Sequence, residues 1–225
     1  MGGPGPRLLG ARLVVSANVG VLPVLAGIVA FRQVRDASWL VDDGPAPDPG
    51  DLAAAQRVLE RWDARMRDID SAFEHPSVVW ALVAAGAVAL LYVLSILAHE
   101  LGHAWAVRRA GLQADTIELG ATGGFVTFPD DEHLTAGRLA AIAAAGPAVT
   151  ALIAGVSFGA LAVLGWPIAA SPDAGSTAGV VAQQVLGTTF ILNAVVLVIN
   201  LLPFRPLDGG QLLAAAALRL RRGGR

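Results

Sequence analysis

His99, Glu100 and His103 form the pattern H-E-x-x-H at the end of an uncharged apolar run, residues 78–98. Side chains four residues apart share one face of a helix, so the two imidazoles could bind one metal ion together. Zinc is the ion that this pattern typically binds, and the glutamate can act as a general base toward an attacking water. Ionisable groups at membrane depth are costly to bury and usually serve a function. The motif therefore predicts hydrolytic zinc chemistry within, or at the edge of, a lipid bilayer.

A catalytic zinc site usually has three protein ligands and one open position. The chain has no cysteine, so the third ligand must be a histidine or a carboxylate. Asp208 is the best candidate, because it follows the last apolar stretch in the sequence N-L-L-P-F-R-P-L-D-G-G over residues 200–210. The prolines there end a helix and the glycines allow a tight turn, so this carboxylate could face a cavity. His75 and His133 lie in charged surroundings and are interpreted as surface residues.

The composition is that of a membrane protein. Of the 225 residues, 55% are hydrophobic and 15% are charged, and the mean hydropathy is +0.60. Soluble domains carry about 25% charged residues. The net charge of −2 gives no indication of nucleic-acid binding. The length suits one compact domain with a few spanning helices.

Four apolar stretches are long enough to cross a membrane core of about 30 Å, which takes roughly 20 residues of helix. They cover residues 13–31, 77–98, 139–166 and 180–202. They predict an all-α polytopic membrane protein with about four transmembrane helices. The first stretch follows two arginines, as the core of a secretory signal would. Its length and the internal Asn18 and Pro23 favour an uncleaved transmembrane anchor over residues 1–31.

The arginines near the spans predict the orientation of the chain, because cytoplasmic loops are enriched in them. Residues 167–179, between the third and fourth stretches, contain no arginine. The opposite ends of the later spans are flanked by Arg108, Arg109, Arg138, Arg205, Arg219, Arg221 and Arg222. Both termini and the zinc-binding end of the second span are therefore predicted to be cytoplasmic. The membrane is expected to be a bacterial cell membrane.

A polar segment, residues 32–76, lies between the first two stretches and is expected outside the cytoplasm. Its first half is rich in Asp, Pro and Gly, which is typical of a linker. Its second half predicts an amphipathic helix with apolar residues at alternating spacings of three and four: Leu52, Ala55, Leu59, Trp62, Met66, Ile69 and Phe73. This helix could pack on the protein or the membrane surface, or it could serve self-association or substrate docking. The remainder of the chain is predicted to form two parts. These are an intramembrane metalloprotease core over residues 77–218 and a basic C-terminal tail over residues 219–225.

A small β-hairpin is predicted after the zinc-binding helix. Residues 115–119 and 125–128 are short β-prone runs, and the glycines 120, 123 and 124 lie between them. A reentrant loop that fills space between the spans is the alternative. A hairpin would offer an edge to which an extended substrate segment could add as a further strand.

The two motifs together resemble the site-2 protease family of intramembrane zinc metallopeptidases. His99, Glu100 and His103 match the family's first motif, and Asp208 matches the carboxylate ligand of its second. Asn200 matches the family's asparagine on the same helix, which is implied to bind substrate or to stabilise the oxyanion. The resemblance covers residues 77 to about 218.

A further part of the resemblance lies in the third span. Residues 146–150, with the sequence G-P-A-V-T, resemble the family's G-P-x-x-N/S element near the active site. Thr150 stands where Asn or Ser is more usual. Gly123 and Gly124 belong to a stretch that resembles the family's strand region after the first motif.

The resemblance implies a zinc-dependent endopeptidase that cleaves a membrane protein in or near a transmembrane segment. Zn²⁺ would be held by His99, His103 and Asp208, with Glu100 as the general base and Asn200 assisting. One alternative is a non-proteolytic membrane protein that binds or transports zinc, which would not need the glutamate. Another is a scaffold in which the amphipathic helix of the polar segment binds a partner.

Overall fold

The computed structural model describes residues 6–42, 51, 53, 56, 76–120, 123–129, 134–164 and 177–223. In chain order, its strands and helices are β1 (Arg7–Leu8), β2 (Ala11–Val15), α1 (Val21–Asp42), α2 (Pro76–Arg109), β3 (Thr116–Gly120), β4 (Gly123–Thr127), α3 (Ala136–Leu164), α4 (Thr177–Asn200) and α5 (Asp208–Gly223). The described part of the chain is therefore mostly helical, with one small sheet.

Three helices of the described residues are long and apolar enough to cross a membrane: Val78–Arg109, Ala136–Leu164 and Val181–Asn200. They correspond to the second, third and fourth predicted spans. The helix of the second span continues beyond the predicted end at residue 98, through the zinc motif, to Arg109. The apolar run ends at the first histidine, but polar residues can continue a helix. Large apolar side chains such as Leu152, Val156 and Val163 point outward and are exposed. Such an apolar surface is suited to lipid.

The first predicted span, residues 13–31, is not one helix, and the all-α prediction is wrong at this point. Residues up to Val15 form β2, and α1 begins at Val21. The apolar part of α1 that the structure describes, Val21–Arg32, is shorter than a full span. Apolarity does not distinguish a buried strand from a helix in so short a run. The number of four spans is therefore not confirmed.

The sheet has four strands in the order β1-β2-β3-β4. The predicted hairpin is confirmed, because β3 and β4 pair antiparallel, with Leu119 opposite Gly124. The N-terminal β2 adds to it in parallel, from Arg12 opposite Thr116 to Val15 opposite Leu119. Within the described residues, β4 pairs with β3 alone, so its other edge is open.

The sheet packs one face against α2. Side chains alternate between the two faces of a strand, and Ile117 and Leu119 of β3 point into a core shared with Ala104 and Val107 of α2. These side chains are at most 3% exposed. The α1 helix also packs on α2, at a close approach where a Cβ on Gly27 would lie 3.0 Å from the carbonyl oxygen of Ala85. The sheet and α1 thus fix the helix that carries the zinc motif.

The chain bends sharply between α4 and α5, as the prolines and glycines predict. Gly209 packs so closely on the carbonyl oxygen of Leu201 that any Cβ there would overlap it. A Cβ on Gly210 would lie 2.6 Å from the carbonyl carbon of Phe204. The bend places Asp208 at the first position of α5, where a negative charge is favoured by the helix dipole.

Several predictions concern residues outside those described. Most of the amphipathic helix over residues 51–73 falls there, as do His75 and His133, and its packing stays a prediction. The domain boundaries and the cytoplasmic position of the termini also stay predictions.

Candidate metal centre

Three buried side chains from two distant parts of the chain meet at one point. The Nε2 atoms of His99 and His103, one turn apart on α2, are 3.1 Å from each other. One oxygen of Asp208 lies 3.2 Å from Nε2 of His99, and its other oxygen lies 3.3 Å from Nε2 of His103. Their exposed fractions are only 5%, 8% and 7% for His99, His103 and Asp208. The structure thus brings together the three residues that the sequence predicts as metal ligands.

The Nδ1 atom of each imidazole lies within hydrogen-bond distance of α3, the helix of the third predicted span. Nδ1 of His103 lies 2.8 Å from the carbonyl oxygen of Ile142, which can only accept, so Nδ1 carries the proton and donates it. The neutral ring then presents a lone pair at Nε2. Nδ1 of His99 lies 2.8 Å from the hydroxyl oxygen of Thr150, which allows the same tautomer. Partners of this kind commonly orient histidines that bind metal.

This donor set fits zinc. Two imidazole lone pairs and a carboxylate converge, and such groups repel one another unless a cation or a proton lies between them. Tetrahedral zinc with bonds of about 2.0–2.1 Å separates its ligand atoms by about 3.3–3.4 Å. The observed separations are 3.1, 3.2 and 3.3 Å. Three protein ligands also leave the fourth position open, as in catalytic zinc sites.

Gly146 of α3 lies directly beneath the two histidines. A Cβ at this position would overlap Nε2 of His103 and would lie 2.6 Å from Nε2 of His99. Only a glycine therefore leaves the space between the rings open. Thr150 is one helical turn further along α3 and is 1% exposed. The G-P-A-V-T element thus contributes both the open space and a hydrogen bond to one ligand.

Glu100 is the second feature of the centre. It is 3% exposed, and among the described residues its Oε2 atom has no hydrogen-bond partner. Its side chain lies against β4, because a Cβ on Gly124 would be 2.7 Å from Cγ of Glu100. A buried carboxylate oxygen without a donor is available to accept a proton or to bind water. The glutamate and the open edge strand are therefore neighbours.

A cavity of about 730 Å³ contains the centre. The two histidines, Glu100 and Asp208 line it together with Asn200, the last residue of α4. Asn200, for which the resemblance implies a role in binding substrate or stabilising the oxyanion, thus lies on the wall of this cavity. The side chains of Tyr92, Ile96 and Leu192, one aromatic and two aliphatic, line the same cavity. The space is large enough for an extended peptide segment of a few residues.

Sequence reasoning missed some contributors to the site. No local pattern identifies the carbonyl of Ile142 as the partner of His103, because every residue has such a carbonyl. The sequence pattern predicts a turn at Gly124, but this residue lies in β4, where the absence of a side chain lets the strand approach Glu100. The sequence points to Thr150 only through the resemblance, because its contact with His99 depends on how α3 packs on α2.

Three helices suited to a bilayer, with a His-His-Asp group formed by α2 and the first residue of α5, define a membrane protein with a zinc-type metal centre. The chain belongs to peptidase family M50, whose family model matches residues 86–166 and 163–224. This is the family of the site-2 proteases, so the resemblance carried by the two motifs is confirmed. Zn²⁺ as the cofactor follows from the same family and from the His-His-Asp group.

Two curated relatives have names that contain the words zinc metalloprotease. Rip3 of Mycobacterium tuberculosis is 41% identical over 142 residues, which are 63% of this chain and 33% of that protein. The sll0528 protein of a Synechocystis species is 33% identical over 125 residues, which are 56% of this chain and 30% of that protein. The chain thus spans about a third of the length of these relatives.

A solved structure, the site-2 protease of Methanocaldococcus jannaschii, is also similar. The match has a TM-score of 0.42 and 23% identity, and covers 59% of this chain and 55% of that chain. The family assignment depends on the sequence matches rather than on this likeness.

Proposed function

We propose that this protein is a zinc-dependent endopeptidase that cleaves a membrane protein in or near a transmembrane segment. The single observation that carries the proposal is the place of Glu100. This carboxylate is buried, lacks a hydrogen-bond donor at Oε2 within the described residues, and shares one cavity with the His-His-Asp group. A protein that only bound or transported zinc would have no need of a buried glutamate at this position.

The chemistry follows from the side chains. Zinc, when bound by His99, His103 and Asp208, supplies a Lewis acid that acidifies water and polarises a carbonyl. Glu100 accepts the proton of the water that attacks the peptide carbonyl, and it then delivers that proton to the leaving nitrogen. The buried position keeps bulk water from competing for the carboxylate. Both halves of the reaction thus need the same glutamate.

Asn200 has a supporting role in this proposal. Its side-chain amide can donate a hydrogen bond to the oxygen on which negative charge develops as the carbonyl is attacked. Its position at the end of α4, on the cavity wall, supports that role. Loss of such a donor costs about 10²–10³ in turnover in other hydrolases.

The substrate would bind as an extended strand. A transmembrane helix hides its carbonyls in its own hydrogen bonds, so the segment to be cut must first unwind. The open edge of β4 offers backbone groups to such a segment. The contact of Gly124 with Glu100 supports the proposal, because a strand along this edge would bring its carbonyls close to the general base.

The bilayer is the second expected partner. Two of the three expected metal ligands, His99 and His103, lie on Val78–Arg109, which is long enough to span it. In this proposal the protein lies in a bacterial cell membrane, with both termini and the metal centre toward the cytoplasm. The clustering of arginines at that side supports this orientation. No observation points to nucleic acid.

Glu100→Gln tests the proposal. The variant keeps the size of the side chain and removes its basicity. We expect it to bind zinc with the same stoichiometry as the wild type and to lose cleavage of single-span reporter proteins in proteoliposomes. Asp115→Asn, an exposed carboxylate just before β3, is the matched control and should retain both properties. Full cleavage by the Glu100→Gln variant would contradict the proposal. A zinc-transport function predicts equal metal flux in both proteins.

A further inference from the structure

Glu118 and Phe125 lie side by side on the face of the sheet that points away from α2. They are directly opposite each other in the β3–β4 pairing. Their neighbours on β3, Ile117 and Leu119, point into the core against α2, so Glu118 points the other way. Phe125 is 54% exposed, and both residues line the cavity that contains the metal centre. A carboxylate and an exposed phenyl ring therefore share one surface next to the open edge.

The carboxylate of Glu118 is held in place by a hydrogen bond. The hydroxyl of Ser16, the residue after β2, donates a hydrogen bond of 3.1 Å to its Oε1 atom. Ser16 is itself fixed by its backbone N–H, which donates to the carbonyl oxygen of Leu119 at 2.9 Å. An ionised carboxylate can accept several hydrogen bonds, so one serine leaves most of its capacity free. In the described part of the chain no arginine pairs with it, and the sequence contains no lysine.

The spacing of strands determines which side chains could reach this carboxylate. A segment added to the free edge of β4 would place its side chains on this face beside Phe125. Glu118 would then be two strand spacings away, roughly 10 Å from the backbone of the added strand. Arginine and lysine can lay their apolar stems across a surface and present the charge at its far end. The ring of Phe125 would lie under that stem and would attract the cation.

We propose that Glu118 and Phe125 form a subsite for an arginine or lysine side chain of the extended substrate segment. The inference depends on the proposed function, because it specifies the substrate of the same site. It also agrees with the composition of membrane proteins, since basic residues are concentrated just cytoplasmic of transmembrane segments. Glu118 is here a specificity-determining residue, and Ser16 positions it.

The test uses two labelled ten-residue peptides of alternating threonine and valine. One carries a central arginine, and its twin carries citrulline, which has the same shape without the charge. Their affinities are measured on the full chain in detergent micelles, with Glu100→Gln to prevent hydrolysis. We expect the arginine peptide to bind about threefold to tenfold more tightly, as for a partly exposed charge pair with an aromatic contact. Added salt should reduce the difference.

Two further variants, each measured with both peptides, test whether Glu118 causes the preference for arginine. Glu118→Gln should abolish the preference for arginine and leave the affinity for the citrulline peptide unchanged. Asp115→Asn removes one negative charge elsewhere on the same hairpin and should preserve the preference. Equal affinities for the two peptides, a preference that survives Glu118→Gln, or no binding of either peptide would overturn the subsite. Failure of the wild type to cut any reporter, with the arginine preference intact, would instead refute the proposed function alone.

Discussion

Replacing Thr150 by valine should weaken zinc binding without changing the ligands themselves. The hydroxyl of Thr150 is 2.8 Å from Nδ1 of His99, and this threonine is only 1% exposed. Valine has nearly the same shape, so the main change is the loss of one hydrogen bond to a metal-binding imidazole. The second methyl group of valine occupies the place of the hydroxyl, so water cannot replace it there and the ring's N–H would be left without a partner.

The magnitude follows from the cost of a buried donor without an acceptor, about 1–3 kcal/mol. Mutations of such supporting partners typically cost tenfold to a hundredfold in metal affinity, which is about 1.4–2.7 kcal/mol. The two ranges agree, so we expect the zinc dissociation constant to rise by about tenfold to a hundredfold. Thr150→Ser, which keeps the hydroxyl, should stay close to the wild type.

The assay is competition with a chromophoric zinc chelator on purified protein in detergent. The matched control is Thr189→Val on α4, because Thr189 is also buried and donates its hydroxyl to the carbonyl of Val185 on its own helix, at 2.7 Å. That variant should leave zinc affinity unchanged. If Thr150→Val bound zinc as tightly as the wild type, the hydrogen bond would not orient the ligand and the reasoning would be refuted.

Three further predictions concern the space around the centre. Gly146→Ala should abolish stoichiometric zinc binding, because its Cβ would overlap His103. Gly155→Ala on the same helix has open space around its Cβ and should bind zinc normally. Normal metal content in the Gly146→Ala variant would contradict this prediction. Gly124→Ala should cut turnover at least tenfold and retain zinc, because its Cβ would lie 2.7 Å from Cγ of Glu100; kinetics on a reporter check this, and unchanged turnover would contradict it. Asn200→Ala should lower kcat by about 10²–10³ with a much smaller change in KM, and a change confined to KM would exclude a role at the oxyanion.

The sequence could predict those parts of the fold that depend on residues close together along the chain. The H-E-x-x-H spacing needs only a helix to place both imidazoles on one face, and α2 is that helix. The two β-prone runs around three glycines pair with each other to form the β3–β4 hairpin, so the hairpin depends on neighbouring residues alone. The apolar lengths of the later spans are likewise local properties. In each case the interacting residues are near neighbours along the chain.

The parts that could not be predicted depend on residues far apart in sequence. β2 is a strand because its backbone pairs with β3, about a hundred positions later, and the apolar run over residues 13–31 carries no sign of that partner. The roles of Ile142 and Gly124 arise in the same way, from the packing of α3 and β4 against α2. Asp208 is the exception, because its place after a broken helix and its match to a known motif identified it without any contact information.

We expect two distant segments of this chain, the end of the second span and the start of α5, to hold one zinc ion between them. X-ray absorption at the zinc edge on the purified protein, beside Asp208→Asn, tests it most directly. We expect one zinc per chain, coordinated by two imidazole nitrogens and by oxygen at about 2.0 Å, and a loss of metal or of one oxygen neighbour in the variant. Zinc that is absent from the wild type, or a coordination spectrum unchanged by Asp208→Asn, would show that these two segments do not bind zinc together.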